Sequence, residues 1–326
     1  MARVPDVRGF NNVVFFTGAG MSAESGVPTY RGKGGIWKEY DYDNCACQEA
    51  FDRDPEYVWE FHNYRRELVS KCQPNDGHRW IARCERELAG PKKRVTVITQ
   101  NIDGLHQAAG SETVIELHGS LWKLRCCVCD WRAEDLSAPL GELRCPQCEQ
   151  AGREGVYKRP DIVWFGDSLA TANLIAVQEA LTRCDLLISI GTSAVVYPAA
   201  HMPLIAKRNG ALLVEVNPEE TPLSEVYDVA IRGTATKALA APLRRARRGL
   251  LSVAGSPATR LSRQPAAFAL RATSFPGTRS SRRSRRADRL RRASPWSRAG
   301  GRRRTGSACR RPCRARAPCA PDRGRT

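Results

Sequence analysis

Six short apolar runs alternate with stretches of helical periodicity, and this order constrains the fold of the chain most strongly. Several of the runs are nearly continuous in Val, Ile and Leu, as in strands that are buried on both faces of a parallel sheet. The predicted strands are 13–16, 95–98, 114–117, 162–165, 186–190 and 212–216, and the predicted helices are 55–72, 76–89, 168–183, 199–208 and 235–248. The alternation predicts an α/β fold with a Rossmann-like, doubly wound parallel sheet.

Two segments interrupt this order. We expect one domain over residues 1–250, with a mostly helical insert at about 37–90 and a cysteine-rich insert at about 121–158. A domain of this size is long enough to bury a substantial hydrophobic core.

The segment 251–326 differs in composition from the rest of the chain. The formal charge of the whole chain is +18, but this segment holds 21 Arg, no Lys, two Asp and no Glu, so residues 1–250 carry a net charge of −1. Because it lacks periodicity and cannot bury enough apolar area to offset the cost of ordering, the tail is predicted to be disordered. It is either an electrostatic arm with weak, salt-dependent affinity for nucleic acid or another polyanion, or a segment without function, such as an out-of-frame translation of GC-rich DNA.

The sequence also bears on the cellular environment. No apolar run approaches the roughly 18 residues of a membrane-spanning helix, and the first predicted strand begins at Val13, which leaves little room for a cleavable presequence. The 13 cysteines do not indicate a disulfide framework, because a chain of this length needs none. We expect a cytoplasmic monomer without membrane contact.

Four of the cysteines have the spacing of a zinc site. Cys126-x2-Cys129 and Cys145-x2-Cys148 are separated by 15 residues, which is the two-knuckle pattern. Four thiolates complete a tetrahedral shell without a position for water, so the predicted zinc is structural. Cys127 has the wrong spacing and is predicted to lie outside the shell. The alternative is a set of four unrelated buried cysteines.

A glycine-rich loop follows the first predicted strand. Gly18, Gly20 and Ala23 satisfy the G-x-G-x-x-G/A spacing that brings backbone amides close to a pyrophosphate. Gly26 and Pro28 then end any helix after one or two turns, although an ordinary crossover helix needs about ten or more residues. The pattern predicts a phosphate cradle followed by a mobile loop.

Polar residues follow the next two predicted strands. Gln100, Asn101 and Asp103 come after one strand and His118 after the other, at the carboxyl ends where open α/β sheets bind their ligands. The amides and the carboxylate suit a carboxamide, a ribose hydroxyl or a water, and a neutral imidazole is a natural base for a hydroxyl. Taken singly, each residue could instead cap or stabilise a loop.

Together these residues resemble one family. The motifs stand in the order Gly18 to Pro28, Thr99 to Asp103, His118-Gly119-Ser120, the two Cys pairs, Gly191-Thr192-Ser193 and Val216-Asn217. In this order the chain resembles a sirtuin, an NAD-dependent protein-lysine deacylase, over about residues 8–248. The resemblance implies NAD as the cofactor, one structural Zn²⁺ and acylated-lysine proteins as substrates.

The resemblance also implies residue roles. The loop at about 27–36 would fold over NAD, the acyl-lysine oxygen would attack the ribose carbon that loses nicotinamide, and His118 would deprotonate a ribose hydroxyl, with Asn101 and Asp103 as further catalytic residues. Free lysine, nicotinamide and O-acyl-ADP-ribose would result. The implied NAD-binding residues are Thr17, Gly18, Ala19, Gly20, Ser22, Ala23, Glu24, Pro28, Arg31, Gln100, Asn101, Ile102, Asp103, Gly191, Thr192, Ser193, Asn217, Pro218, Glu219 and Ala235, and the implied peptide-binding residues are Val163, Trp164 and Phe165.

The helix predicted at 55–72 adds an expectation about the acyl group. Its periodicity turns Arg65 inward, where a guanidinium requires an anion, either a structural carboxylate or a ligand. The stretch resembles class III sirtuins, which remove succinyl and malonyl groups, bind the acyl carboxylate with a Tyr-x-x-Arg pair and have an alanine, matching Ala50, that widens the pocket. Here His62 stands at the tyrosine position, and Tyr64 points about 200° away around the helix.

We therefore expect deacylation with a preference for acidic acyl groups, bound by Arg65 and His62. If protonated His62 contacts the acyl carboxylate, the desuccinylation-to-deacetylation ratio of kcat/KM should rise as pH falls through about 6.5. The alternatives are a plain deacetylase in which His62 abolishes the preference, a mono-ADP-ribosyltransferase, a non-catalytic acyl-lysine reader, and a nucleic-acid-binding protein that acts through its tail. The retained His118 argues against the reader.

Overall fold

The computed structural model describes residues 3–30 and 42–240. In these ranges the strands are β1 (Asn12–Thr17), β2 (Arg94–Thr99), β3 (Val114–Glu116), β4 (Gly119–Cys126), β5 (Arg132–Glu134), β6 (Lys158–Ile162), β7 (Leu186–Ile190), β8 (Leu212–Val216) and β9 (Val229–Ile231). The α-helices are α1 (Gly20–Ala23), α2 (Tyr42–Cys45), α3 (Gln48–Arg53), α4 (Pro55–Ser70), α5 (Asp76–Leu88), α6 (Leu105–Ala108), α7 (Pro146–Gln150), α8 (Thr171–Arg183), α9 (Met202–Arg208) and α10 (Ala235–Leu239). No described helix is long and apolar enough to span a bilayer.

The main sheet has six parallel strands in the order β3-β2-β1-β7-β8-β9. Val13 of β1 pairs with Val95 of β2 on one side and with Leu186 of β7 on the other. The strand order therefore reverses between β1 and β7, which confirms the predicted doubly wound, Rossmann-like fold. In such sheets a crevice opens outside the carboxyl ends of the strands at the reversal point.

Two apolar layers cover the main sheet. Since side chains alternate along a strand, Val13 and Phe15 of β1 join the layer that contains α5, whereas Val14 and Phe16 join the layer that contains α8 and α9. The helix α5 was predicted as part of the helical insert at about 37–90, and the structure packs it directly on the main sheet. These layers make the sheet a fixed platform for the loops at its carboxyl edge.

A second, antiparallel sheet has the order β5-β4-β6 and carries the cysteine-rich insert. The predicted strand at 162–165 is wrong, because the strand is Lys158–Ile162 in this smaller sheet. The apolar residues after Ile162 are not part of a strand. Among them, Trp164 is buried against Phe51. The strand β9 was not predicted because it is only three residues long.

Some predictions fall outside the described residues. They concern Arg31, the tail at 251–326, and the end of the helix predicted at 235–248, of which the structure describes Ala235–Leu239. The domain boundaries, the cytoplasmic location, the monomeric state and the polyanion contact stay predictions.

Candidate active site

The glycine loop forms the floor of the crevice through backbone contacts. The Gly18 amide donates to the Ile190 carbonyl at 3.0 Å, and the Gly20 amide donates to the Gly191 carbonyl at 2.9 Å. A Cβ added to Gly20 would lie 2.7 Å from the Gly191 Cα, so a side chain there would separate the loops after β1 and β7. The helix α1 ends at Ala23 after four residues, which confirms the short helix predicted after the loop.

One cavity of about 1010 Å³ lies at this edge of the sheet. It brings together most of the predicted site residues, which belong to loops far apart in the sequence. The predicted residues that line it are Gly18, Ala19, Gly20, Ala23, Glu24, His62, Arg65, Gln100, Asn101, Ile102, His118, Val163, Trp164, Phe165, Gly191, Thr192, Ser193, Asn217, Pro218, Glu219 and Ala235. Thr17, Ser22, Pro28, Ala50 and Asp103 do not line it.

Asp103 lies behind the wall of the cavity. Its Oδ2 accepts a hydrogen bond from Ser22 Oγ at 2.7 Å, and its Oδ1 accepts from the Leu105 amide at 2.9 Å. Ser22 Oγ in turn accepts from Asn101 Nδ2 at 3.1 Å, and burial raises the pKa of Asp103. In this geometry Asp103 acts on the cavity by orienting Ser22 and Asn101.

His118 lines the cavity just after β3, as predicted. Its Nδ1 lies 3.0 Å from the Gln100 carbonyl oxygen. Because a carbonyl only accepts, Nδ1 carries the proton and Nε2 keeps its lone pair. Burial lowers the pKa of His118, and the Gln100 hydrogen bond partly opposes this shift. A neutral imidazole with a free Nε2 lone pair is suited to act as a general base.

Arg65 lies at another part of the same cavity. Arg65 is buried, with 5% of the residue exposed, and its Nη1 donates to the Tyr30 hydroxyl at 2.7 Å. The Arg65 Cζ also lies 4.7 Å from the centre of the Tyr30 ring. Among the described residues no carboxylate forms an ion pair with Arg65, so the structural carboxylate considered from the sequence is not observed there.

His62 is buried beside Arg65 and is neutral. Its Nε2 accepts a hydrogen bond from Trp164 Nε1 at 3.2 Å, and the two rings stack with centroids 5.7 Å apart. Burial lowers the pKa of His62 well below its usual value, and the nearby Arg65, Arg159 and Arg66 lower it further. The expected titration near pH 6.5 therefore does not apply to this histidine.

The alanine that lines the cavity is not the predicted one. Ala50 is buried in an apolar cluster with Phe51 and Trp59 and does not line the cavity, whereas Ala46, just before α3, does. The role expected of Ala50 stays a prediction. Tyr30 lies within the loop predicted at about 27–36 but was not singled out there, and it also lines the cavity.

The four predicted zinc ligands converge in the smaller sheet. The Sγ atoms of Cys126 and Cys148 are 3.8 Å apart, those of Cys129 and Cys145 are 3.6 Å apart, and all four lie within 4.8 Å of one another. A tetrahedron with Zn–S bonds of about 2.3 Å has S···S edges of about 3.8 Å, so the thiols fit one Zn²⁺. Cys127 is exposed and outside the cluster, as predicted.

Comparisons with known proteins agree with this geometry. The model of the Sir2 family matches residues 18–198. An NAD-dependent protein deacylase of Aquifex aeolicus is 46% identical over 228 residues, covering 70% of this chain and 92% of the relative. The NAD-dependent protein deacylase sirtuin-5, mitochondrial, of Canis lupus familiaris is 42% identical over 243 residues, covering 68% and 77%.

Solved structures give the same result. A crystal structure of a Sir2 homologue in complex with NAD is similar to this chain with a TM-score of 0.63 and 44% identity, covering 70% of this chain and 86% of the other. A Sir2 homologue mutant in complex with ADP-ribose has a TM-score of 0.66 and 42% identity, covering 72% and 91%. The family model spans more than half of the chain, and the chain therefore belongs to the Sir2 family.

Proposed function

We propose that this chain is an NAD-dependent protein-lysine deacylase that prefers acidic acyl groups such as succinyl and malonyl. Relatives that are more than two fifths identical to it over the aligned residues are named NAD-dependent protein deacylases, which supports the general activity. The acyl preference depends on one observation, the buried Arg65 without a carboxylate partner among the described residues.

The residues at the sheet edge fit NAD. The close backbone contact between Gly20 and Gly191 leaves a side-chain-free cradle of the kind that dinucleotide pyrophosphates require. Gln100, Asn101 and Asn217 add amide groups to the cavity wall, which suit ribose hydroxyls and a carboxamide. When bound, NAD would supply an electrophilic ribose carbon that can be attacked by the acyl oxygen as nicotinamide leaves.

His118 is the general base of this proposal. Its Nδ1–H is held by the Gln100 carbonyl, so Nε2 would take a proton from a hydroxyl in the cavity. Its lowered pKa keeps the base unprotonated at neutral pH. Asn101 would orient the reacting groups, and the hydrogen bonds through Ser22 to Asp103 would fix the Asn101 amide. The zinc site has four protein ligands, so its role is structural.

Arg65 is the reason to expect an acidic acyl group. Burial of a charge without a counter-ion costs several kcal/mol, and an acyl carboxylate that enters the cavity would supply that counter-ion. Carboxylates also match the fork of N–H groups on a guanidinium. An acetyl group offers no charge, so it would leave Arg65 with the Tyr30 hydroxyl and the electrostatic interaction with the buried Asp103, which makes no ion pair with Arg65.

A plain deacetylase is the second candidate, and His62 favours it. In class III enzymes a tyrosine stands at this position, whereas His62 is neutral and its Nε2 is occupied by Trp164. If a tyrosine at position 62 is required to bind the acyl carboxylate, the replacement by His62 abolishes the acidic preference. Tyr30 is then only the structural partner of Arg65.

Product mass spectrometry tests both candidates. The purified full chain is incubated with NAD and one peptide that carries acetyl-, succinyl- or malonyl-lysine, and the O-acyl-ADP-ribose products are measured. We expect turnover of all three with a preference for the acidic groups, loss of all turnover in His118→Ala, and loss of the preference alone in Arg65→Met. A wild-type preference for acetyl would support the second candidate, and the absence of any product would refute both.

A further inference from the structure

We propose that Tyr30 replaces the missing tyrosine at position 62 and forms, with Arg65, the site that binds the acyl carboxylate. This inference rests on the proposed acidic-acyl function and assigns it a second specificity-determining residue. Tyr30 belongs to the loop after α1, a different segment from the helix α4 that carries Arg65. The two residues would form a tyrosine–arginine pair across the cavity instead of along one helix.

The geometry at Arg65 carries this assignment. Tyr30 Oη lies 2.7 Å from Arg65 Nη1, and the Tyr30 ring centre lies 4.7 Å from Arg65 Cζ. Two contacts, one to the hydroxyl and one to the ring, restrict the orientation of the guanidinium. Tyr30, Arg65 and His118 all line the same cavity, so the pair faces the space in which an acyl-lysine would reach the general base.

The chemistry of the pair suits a carboxylate. Arg65 donates one N–H to the Tyr30 hydroxyl, and a guanidinium carries five N–H donors in all. Arg65 lines the cavity. A phenol that accepts from a guanidinium also has an O–H donor of its own. A carboxylate next to both groups could accept charge-assisted hydrogen bonds from Arg65 and a hydrogen bond from Tyr30.

His62 is less suited to act as a cationic partner of the carboxylate, and only its buried Nδ1, which has no hydrogen-bond partner among the described residues, remains as a donor. Its Nε2 accepts from Trp164 Nε1, its ring is stacked on the Trp164 indole, and its neighbours Arg159 and Arg66 disfavour a positive charge. Tyr64 is also excluded, because its side chain is 44% exposed on the outer face of α4. Tyr30 is therefore the tyrosine whose hydroxyl meets Arg65 in the described part of the chain.

The test compares two tyrosine variants of the full chain. Tyr30→Phe removes the hydroxyl beside Arg65 and keeps the ring, and Tyr64→Phe is the matched control outside the cavity. We measure kcat and KM with succinyl-lysine and acetyl-lysine peptides at saturating NAD. Loss of one hydrogen bond to a charged group corresponds to about 10- to 100-fold, so Tyr30→Phe should lower the succinyl-to-acetyl ratio of kcat/KM by at least about tenfold.

Further measurements separate this inference from the proposed function. The decrease in Tyr30→Phe should come mainly from a higher KM for the succinyl peptide. The ratio in Tyr64→Phe should be unchanged. In an Arg65→Met background, Tyr30→Phe should have little further effect, because the two residues bind the same carboxylate.

The outcomes are distinct. If Arg65→Met lowers the ratio and Tyr30→Phe leaves it unchanged, the assignment of Tyr30 is refuted while the acidic preference stands. If Tyr30→Phe raises the succinyl ratio, Tyr30 competes with the carboxylate for Arg65, and the assignment is also refuted. If Arg65→Met leaves the ratio unchanged, the proposed acyl preference fails and the inference fails with it.

Discussion

Gly191 offers a quantitative test of how the crevice is built. Its φ is +61°, and a Cβ added to it would lie 2.5 Å from Gly20 C and 2.5 Å from Met21 N. Both contacts are with backbone atoms, which have no alternative rotamer. The left-handed conformation costs a non-glycine residue about 1–2 kcal/mol, and overpacking costs about 1–3 kcal/mol more. Gly191→Ala should therefore lower the free energy of unfolding by about 2–5 kcal/mol.

Two other glycines separate these contributions. Gly210 has a φ of +85° with nothing within 4 Å of an added Cβ, and Gly141 has neither a positive φ nor a near neighbour. In urea unfolding without NAD, Gly210→Ala should cost about 1–2 kcal/mol, and Gly141→Ala should change stability by about 0.5 kcal/mol or less. If Gly191→Ala costs no more than Gly210→Ala, the close approach of the two loops is not what requires glycine.

Three further predictions concern the zinc site and the two histidines of the cavity. Cys145→Ser should lose the zinc and lower Tm, while Cys127→Ser should retain one zinc per chain by elemental analysis; equal zinc contents would contradict the assigned ligands. Burial lowers the pKa of His118, so activity should persist as pH falls through about 6.5, and an acidic limb of kcat/KM at or above that value would show a different base. Because the pKa of His62 lies well below its usual value, the succinyl-to-acetyl ratio of kcat/KM should be flat between about pH 6 and 8, and a slope that disappears in His62→Gln would show that His62 titrates there.

The sequence predicted the main sheet well where strands are buried on both faces. The bounds of β7 and β8 were predicted correctly, because each is a mainly apolar run, interrupted once by Ser189 or Glu215, that is followed by Gly191 or Asn217. The strand predicted at 162–165 failed for the opposite reason. Trp164 packs on Phe51 and His62, so an apolar residue is needed there for a contact outside any strand. A short apolar run in the sequence looks the same in both cases.

The site residues that directly follow a strand could be placed from the sequence. The glycine loop and His118 are defined by the strands that precede them, so their positions at the sheet edge could be inferred from sequence. Ala46 and Tyr30 depend on how α3 and the glycine loop meet α4, and no local pattern encodes that contact. The lowered pKa of His62 depends in the same way on its burial and then on arginines from two segments, Arg65 and Arg159.

One end of the cavity is formed by backbone atoms and the other by side chains, so substitutions affect the two ends differently. The floor after β1 and β7 consists of backbone atoms in direct contact, such as the Gly20 amide and the Gly191 carbonyl, so almost any side chain there would separate the loops. The end that contains Tyr30 and Arg65 consists of side chains from separate segments. A change in one of these side chains alters charge and hydrogen bonding without moving the backbone floor. Substitutions at His62, Tyr30 or Arg65 should therefore change the selectivity of the cavity while the contact between Gly20 and Gly191 stays intact.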